Sequence, residues 1–291
     1  MSNTPATPTK PDDIRAIGEI IKDTRNLSAE QVKDILEYQQ QHNVRFGEAA
    51  VALGFATDDD VLYALAKQFN YPYGTPERRK SNHELVVLNQ PFSPPAEAIR
   101  SIRTQILIAS DTKDGTNVAN TYAITSPNSG DGKTFVAANL AISLAQMGNK
   151  TLLIDANLRS PRLHSVFEVE NKLGLSWILA NRRVEQAIKP VVDVANMYLL
   201  TAGTQPPNPV ELLETETFSL FVREVSKKFT YVVIDTPPYD LGMDCVIAAA
   251  KCKNSVIVCK KDATSTDQAR RLSENLKVAQ SNRIGIIFND R

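Results

Sequence analysis

Nine residues, Ser126-Pro127-Asn128-Ser129-Gly130-Asp131-Gly132-Lys133-Thr134, set a lysine and a hydroxyl directly behind two glycines. Glycines at those places let backbone N–H groups close on phosphate oxygens. A lysine after them reaches β- and γ-phosphates, and the next hydroxyl can ligate Mg²⁺. Ser129, Gly130, Asp131, Gly132, Lys133 and Thr134 are therefore candidate phosphate-loop residues. A helix starting at Lys133 would add the positive end of its dipole. The usual pattern begins with glycine six residues before the lysine; Pro127 stands there instead. Two carboxylates complete the chemistry. Asp155 follows the apolar run 151–154, and Asp235 follows 231–234. A strand-end carboxylate can hold Mg²⁺ or accept a proton from a nucleophile. Asp235 suits the metal shell, with Thr134 and Asp155 as further metal candidates. Asn157, two residues beyond Asp155, can coordinate through its carbonyl but cannot act as a base. Alone, each signal has an ordinary meaning: a glycine-rich turn, or a strand-end Asp capping a turn. Three in order are far more specific and point to a nucleoside triphosphate with Mg²⁺.

These residues need elements to hold them. Apolar, β-branched runs at 122–125, 151–154, 198–201, 231–234, 255–259 and 284–288 predict strands, with helices between them, notably over 133–147 and 266–279. Short strands alternating with helices imply an α/β fold, a mostly parallel sheet covered on both faces. Ligands of such sheets bind at the carboxyl ends of strands, where all three motifs fall. Ahead of this lies an internal repeat. Residues 17–39 align with 46–68, with Gly18/Gly47, Glu19/Glu48, Val32/Val61, Leu36/Leu65 and Gln39/Gln68 identical. Each copy predicts a short helix, a capping Ser28 or Thr57, and an amphipathic helix. The expected organisation is a disordered tail at 1–13, a small all-α domain at 14–72, a linker at 73–95 and a P-loop domain at 96–291.

Composition bounds the rest. Lysine plus arginine and aspartate plus glutamate stand at 33 each, which argues against a general nucleic-acid binder. No secretory signal and no bilayer-spanning run is evident. Three cysteines are too few for a disulfide framework, so a reduced, cytoplasmic compartment is expected.

The stretches SGDGKT, LLIDANLRSPR, GLSWIL, AGTQPPNPVELL and VVIDTPP together resemble the cytoplasmic domain of bacterial tyrosine autokinases of exopolysaccharide and capsule synthesis. Glu97, Arg100 and Arg103 match that family's E-x-x-R-x-x-R helix, which mediates ring assembly in relatives; the ordinary reading is an i,i+3 ion-pair ladder on a solvated helix. The N-terminal repeat resembles the helical N-terminal domain of type II secretion ATPases, and the two together are characteristic of soluble chain-length-determinant tyrosine kinases. The resemblance implies ATP–Mg²⁺ at Lys133 and Thr134, catalysis and metal binding by Asp155, a metal shell completed by Asp235, and adenine contact by Asn289. It also implies self-assembly, a membrane-anchored adaptor as partner, and a place in the cytoplasm beside the inner membrane. Two departures stand out. The family's D-x-D is Asp155-Ala156-Asn157 here, and the last tyrosine is Tyr239, so no tyrosine-rich tail is present; Tyr71 and Tyr73 are candidate acceptors. Those departures motivate a second expectation, an ATP-gated scaffold with little phosphotransfer. A partition-type ATPase would carry a second lysine where Asn128 stands. In secretion-ATPase modules of this kind, Arg-hydrophobic-Gly marks cyclic di-GMP binding. Arg45-Phe46-Gly47 fits, with Gln68 beside it in the repeat, but Ala16 replaces the arginine in the first half; protein docking is the competing expectation.

Overall fold

The computed structural model describes residues 17–69, 73, 83–110, 120–181 and 187–290. Its two compact units divide between Thr75 and Pro76.

The first unit holds four helices: α1 (Ile17–Arg25), α2 (Ala29–His42), α3 (Phe46–Ala52) and α4 (Asp58–Gln68). Both copies of the repeat start their second helix with the same device. Ser28 accepts from the Gln31 N–H while Gln31 accepts from the Ser28 N–H, and Thr57 and Asp60 do likewise. Asp60 is also the buried partner of Arg25, at 2.5 Å, and this arginine with the Thr57 bonds holds its carboxyl below the ordinary range despite opposing burial. Ile21, Ile35, Ala49, Ala50 and Ala64 form a small core. Gly47 has a packing reason: a Cβ there would lie 2.9 Å from Val61 Cγ1, so the glycine lets α3 press against α4.

The second unit is a seven-stranded sheet. In chain order its elements are α5 (Val86–Asn89), α6 (Pro94–Ser110), β1 (Thr121–Thr125), α7 (Lys133–Ala145), β2 (Thr151–Asp155), α8 (Leu163–Val166), α9 (Leu175–Asn181), β3 (Lys189–Pro190), β4 (Met197–Leu200), α10 (Pro209–Glu214), α11 (Glu216–Lys228), β5 (Tyr231–Asp235), α12 (Asp244–Cys252), β6 (Asn254–Lys260), α13 (Thr266–Val278) and β7 (Asn282–Asn289). The strand order is β3-β4-β2-β5-β1-β6-β7, and only β3 runs antiparallel to its neighbour. Alternate residues of one strand feed opposite cores. Leu152, Ile154, Val232 and Ile234 face one, and Leu153, Val233, Tyr122 and Ile124 face the other. That is why the runs read as continuously apolar. No helix among the described residues is long and apolar enough to cross a membrane.

Residues 85–95 depart from the expected linker. Leu85, Val86, Val87 and Leu88 are at most 1% exposed. Their backbone is fixed by one buried side chain on α7: Asn139 Nδ2 donates to the Glu84 carbonyl at 2.8 Å, and Asn139 Oδ1 accepts from the Val87 N–H at 3.0 Å. The prolines that suggest a linker instead lead into α6, whose first residue is Pro94.

Candidate functional site

The phosphate loop joins β1 to α7. Gly130 and Gly132 take φ values of +82° and +98°, a region L side chains avoid. At Gly132 space is decisive too, because a Cβ would lie 2.1 Å from Asn289 Nδ2. Asn289, at the end of β7, donates to the Asp131 carbonyl at 3.0 Å and so lies against the loop. The Asp131 side chain turns inward. It accepts from the Asn128 N–H and the Thr264 hydroxyl, each at 2.8 Å, so its carboxylate braces the loop. Gln268 of α13 adds a bond from its Nε2 to Asn128 Oδ1 at 2.7 Å, and Asp240 accepts from the Ser129 N–H at 3.3 Å.

Lys133 and Thr134 open α7 and are nearly buried. The Thr134 hydroxyl donates to Asp235 Oδ2 at 2.7 Å. Asp155 and Asp235 are paired positions on adjacent strands β2 and β5, both fully buried. Burial pushes the proton affinity of each well above the ordinary carboxylate range. The neighbouring charge of Asp235 raises Asp155 further, whereas Lys133 and Thr134 pull Asp235 partly back. The two carboxylates have different surroundings. Asp155 Oδ1 accepts from the Asn157 N–H at 3.1 Å, and Oδ2 accepts from the N–H groups of Arg162 and Leu163, each at 3.0 Å. Among the described residues no group lies within hydrogen-bonding geometry of the buried Asp235 Oδ1. An unpartnered carboxylate oxygen beside a threonine hydroxyl and a second carboxylate is a hard-oxygen set that fits Mg²⁺.

Lys133, Thr134, Asp155 and Asp235 thus converge at the carboxyl ends of central strands, with Asn289 against the loop. Asn157 Oδ1 accepts from the Ser160 N–H at 3.0 Å and shapes the turn after β2, which leaves its second lone pair open. The expected assembly triad divides. Glu97 and Arg100 pair with each other on the surface of α6. Arg103 points inward and donates to the Ser143 carbonyl and hydroxyl of α7, each at 3.0 Å. Arg45, Gly47 and Gln68 belong to the first unit, where the approach of Val61 accounts for Gly47 without a ligand, so the cyclic di-GMP expectation has no support. Tyr71 lies outside the described residues, and the Tyr73 hydroxyl donates to Asp59. Cys245, Cys252 and Cys259 are buried free thiols whose acidity burial suppresses.

Spacing did not single out several residues of this neighbourhood. Arg159 makes two bonds to buried Asp244, at 3.0 and 3.3 Å. Gly174 and Gly203 cross so closely that a Cβ on Gly174 would meet Gly203 N at 2.2 Å. The GLS and AGT stretches therefore depend on each other, and Gln205 Nε2 then reaches the Arg159 carbonyl at 3.0 Å.

Comparison with known proteins agrees with this geometry. Residues 117–290 match the ParA family model, described as NUBPL iron-transfer P-loop NTPase. The tyrosine-protein kinase YwqD of Bacillus subtilis is 35% identical over 213 residues, 73% of this chain and 88% of that protein. The kinase domain of Escherichia coli tyrosine kinase ETK superposes with a TM-score of 0.67 at 29% identity, covering 72% of this chain and 80% of that one. The chimerical protein CapA2B2 gives 0.66 at 32%, covering 72% and 90%. The sheet, the phosphate loop and these likenesses place the chain among the ParA-type P-loop NTPases, and within them it belongs to the bacterial tyrosine-protein kinases.

Proposed function

We propose that this chain is an ATP- and Mg²⁺-dependent protein-tyrosine kinase that regulates exopolysaccharide chain length, polymerisation or export. The strongest support is the pair of buried carboxylates, Asp155 and Asp235, beside Lys133 and Thr134. In this reading the loop N–H groups from Ser129 to Gly132 and the Lys133 ammonium hold the β- and γ-phosphates. Thr134, Asp235 and Asp155 would hold Mg²⁺, which would supply charge neutralisation for the transferring phosphoryl group. Asp155 takes the proton of the acceptor tyrosine as its oxygen bonds to the γ-phosphorus. The bond from that phosphorus to the β,γ-bridging oxygen breaks, and ADP leaves. Asn157 serves by shaping the turn that presents N–H donors to Asp155, and Asn289 contacts the adenine.

The proposed partners are further copies of this chain, through Glu97 and Arg100 on α6, and a membrane-anchored adaptor that brings a cytoplasmic protein to the inner membrane. The N-terminal unit is the proposed protein-docking module. Incubating the chain with labelled ATP and Mg²⁺, with and without a membrane adaptor, tests the proposal. Phosphotyrosine that disappears in Lys133→Met is the expected result. Tight ATP binding without transfer under both conditions would replace the kinase with a nucleotide-gated scaffold.

A further inference from the structure

The cations around the two carboxylates are not equivalent. Lys133 is buried at the start of α7. Arg159 is held by Asp244, which is 1% exposed, so withdrawing Arg159 would leave a buried carboxylate without its partner. Arg162 is different. Its backbone N–H donates to Asp155 Oδ2 at 3.0 Å, so its side chain springs from the edge of the carboxylate pair. Its guanidinium acts electrostatically on Asp235. That guanidinium pairs with Glu84 at 2.7 Å, where the two side chains are 53% and 40% exposed. Pairs at such exposure contribute little and exchange readily.

The Glu84 backbone is anchored. Its carbonyl accepts from Asn139, on the same helix that begins with Lys133 and Thr134. A half-exposed carboxylate on an anchored backbone therefore faces a long cation rooted beside the reacting groups. A triphosphate brings more negative charge than one divalent cation and Lys133 offset, and in phosphoryl transfer that charge spreads over the equatorial oxygens.

We propose that Arg162 is a switchable phosphate ligand: it pairs with Glu84 and transfers to the terminal phosphate when a nucleoside triphosphate binds. The inference rests on the nucleotide site described above and adds a specific ligand for the γ-phosphate. Glu84 competes with that phosphate for one guanidinium, so removing either partner has opposite consequences.

The test is equilibrium binding of Mg²⁺·AMP-PNP and Mg²⁺·ADP to the full chain, with melting temperature as a folding control. Arg162→Gln should weaken AMP-PNP about tenfold and leave ADP within about twofold. Arg162→Lys should recover part of the loss. Glu84→Gln should tighten AMP-PNP by about twofold to fivefold, because the competing carboxylate is gone. If Glu84→Gln and Arg162→Gln weaken both nucleotides alike, the pair is a strut and the proposal is wrong. An Arg162→Gln protein with unchanged AMP-PNP affinity would also overturn it. Failure of the kinase reading looks different: the binding pattern would hold while no Lys133-dependent phosphotyrosine forms. If the wild-type chain binds neither nucleotide, the site and this inference fall together.

Discussion

Asp235→Asn should make the nucleotide-free protein more stable while destroying its use of Mg²⁺·ATP. Adjacent parallel strands lie about 4.8 Å apart, so carboxylates at paired positions repel by about 3 kcal/mol at an effective dielectric of ~20. The substitution removes that repulsion and the burial of one charge. It also gives up attraction to Lys133, which offsets part of the gain and leaves about 1–2 kcal/mol net. The Thr134 hydroxyl can donate to an amide oxygen as it does to Asp235 Oδ2, and among the described residues Oδ1 has no partner in hydrogen-bonding geometry. For a unit of this size the gain corresponds to roughly 3–6 °C in melting temperature. Asp155→Asn relieves the same repulsion, yet its oxygens accept three backbone N–H groups. An amide must turn its NH₂ toward at least one of them, at a cost of about 1–3 kcal/mol. Its melting temperature should therefore stay near or below that of the wild type. The assay is calorimetric unfolding at pH 8 in EDTA, repeated with Mg²⁺·ATP, where only the wild type should gain markedly. A lower ligand-free melting temperature for Asp235→Asn, or Asp155→Asn emerging as the more stable variant, would refute the reasoning.

The same carboxylates predict that ligand-free stability falls as pH rises from the ordinary carboxylate range toward neutrality. The folded state holds protons there that the unfolded chain has already released. Denaturant unfolding between pH 5 and pH 8 should show this, with a shallower slope for Asp235→Asn. Gly174→Ala should cost about 3–5 kcal/mol in urea unfolding. The new Cβ forces apart the backbone held by the bonds from Leu175 N–H to the Thr201 carbonyl and from Ser176 N–H to the Ala202 carbonyl. Arg103→Ala should cost about 1–2 kcal/mol through its lost bonds to Ser143, independent of protein concentration. Equal, concentration-dependent effects of Arg100→Ala and Arg103→Ala would mark both as assembly residues only.

Local chemistry made much of this protein readable from its residues alone. A strand buried on both faces must be apolar throughout, so β1, β2, β5 and β6 announced themselves. A phosphate loop needs backbone freedom at Gly130 and Gly132 followed by Lys133 and Thr134, which is a contiguous requirement. Repeated capping residues revealed the helical repeat. The two-residue β3 had no such signal, and prolines concealed a buried α5 whose polar backbone is satisfied by Asn139, about fifty positions away. Side-chain direction was equally invisible. Arg103 follows the same spacing as Arg100 yet faces α7, and Asn157 Oδ1 turns to the Ser160 N–H. The sequence by itself determined which residues could hold a nucleotide and in what order the strands present them. Tertiary structure alone decided that Asp155 and Asp235 stand side by side, that Asn289 closes on Gly132, and that Arg162 meets Glu84. Those contacts join residues far apart in the chain, so their energies depend on packing between elements and leave no mark on local spacing.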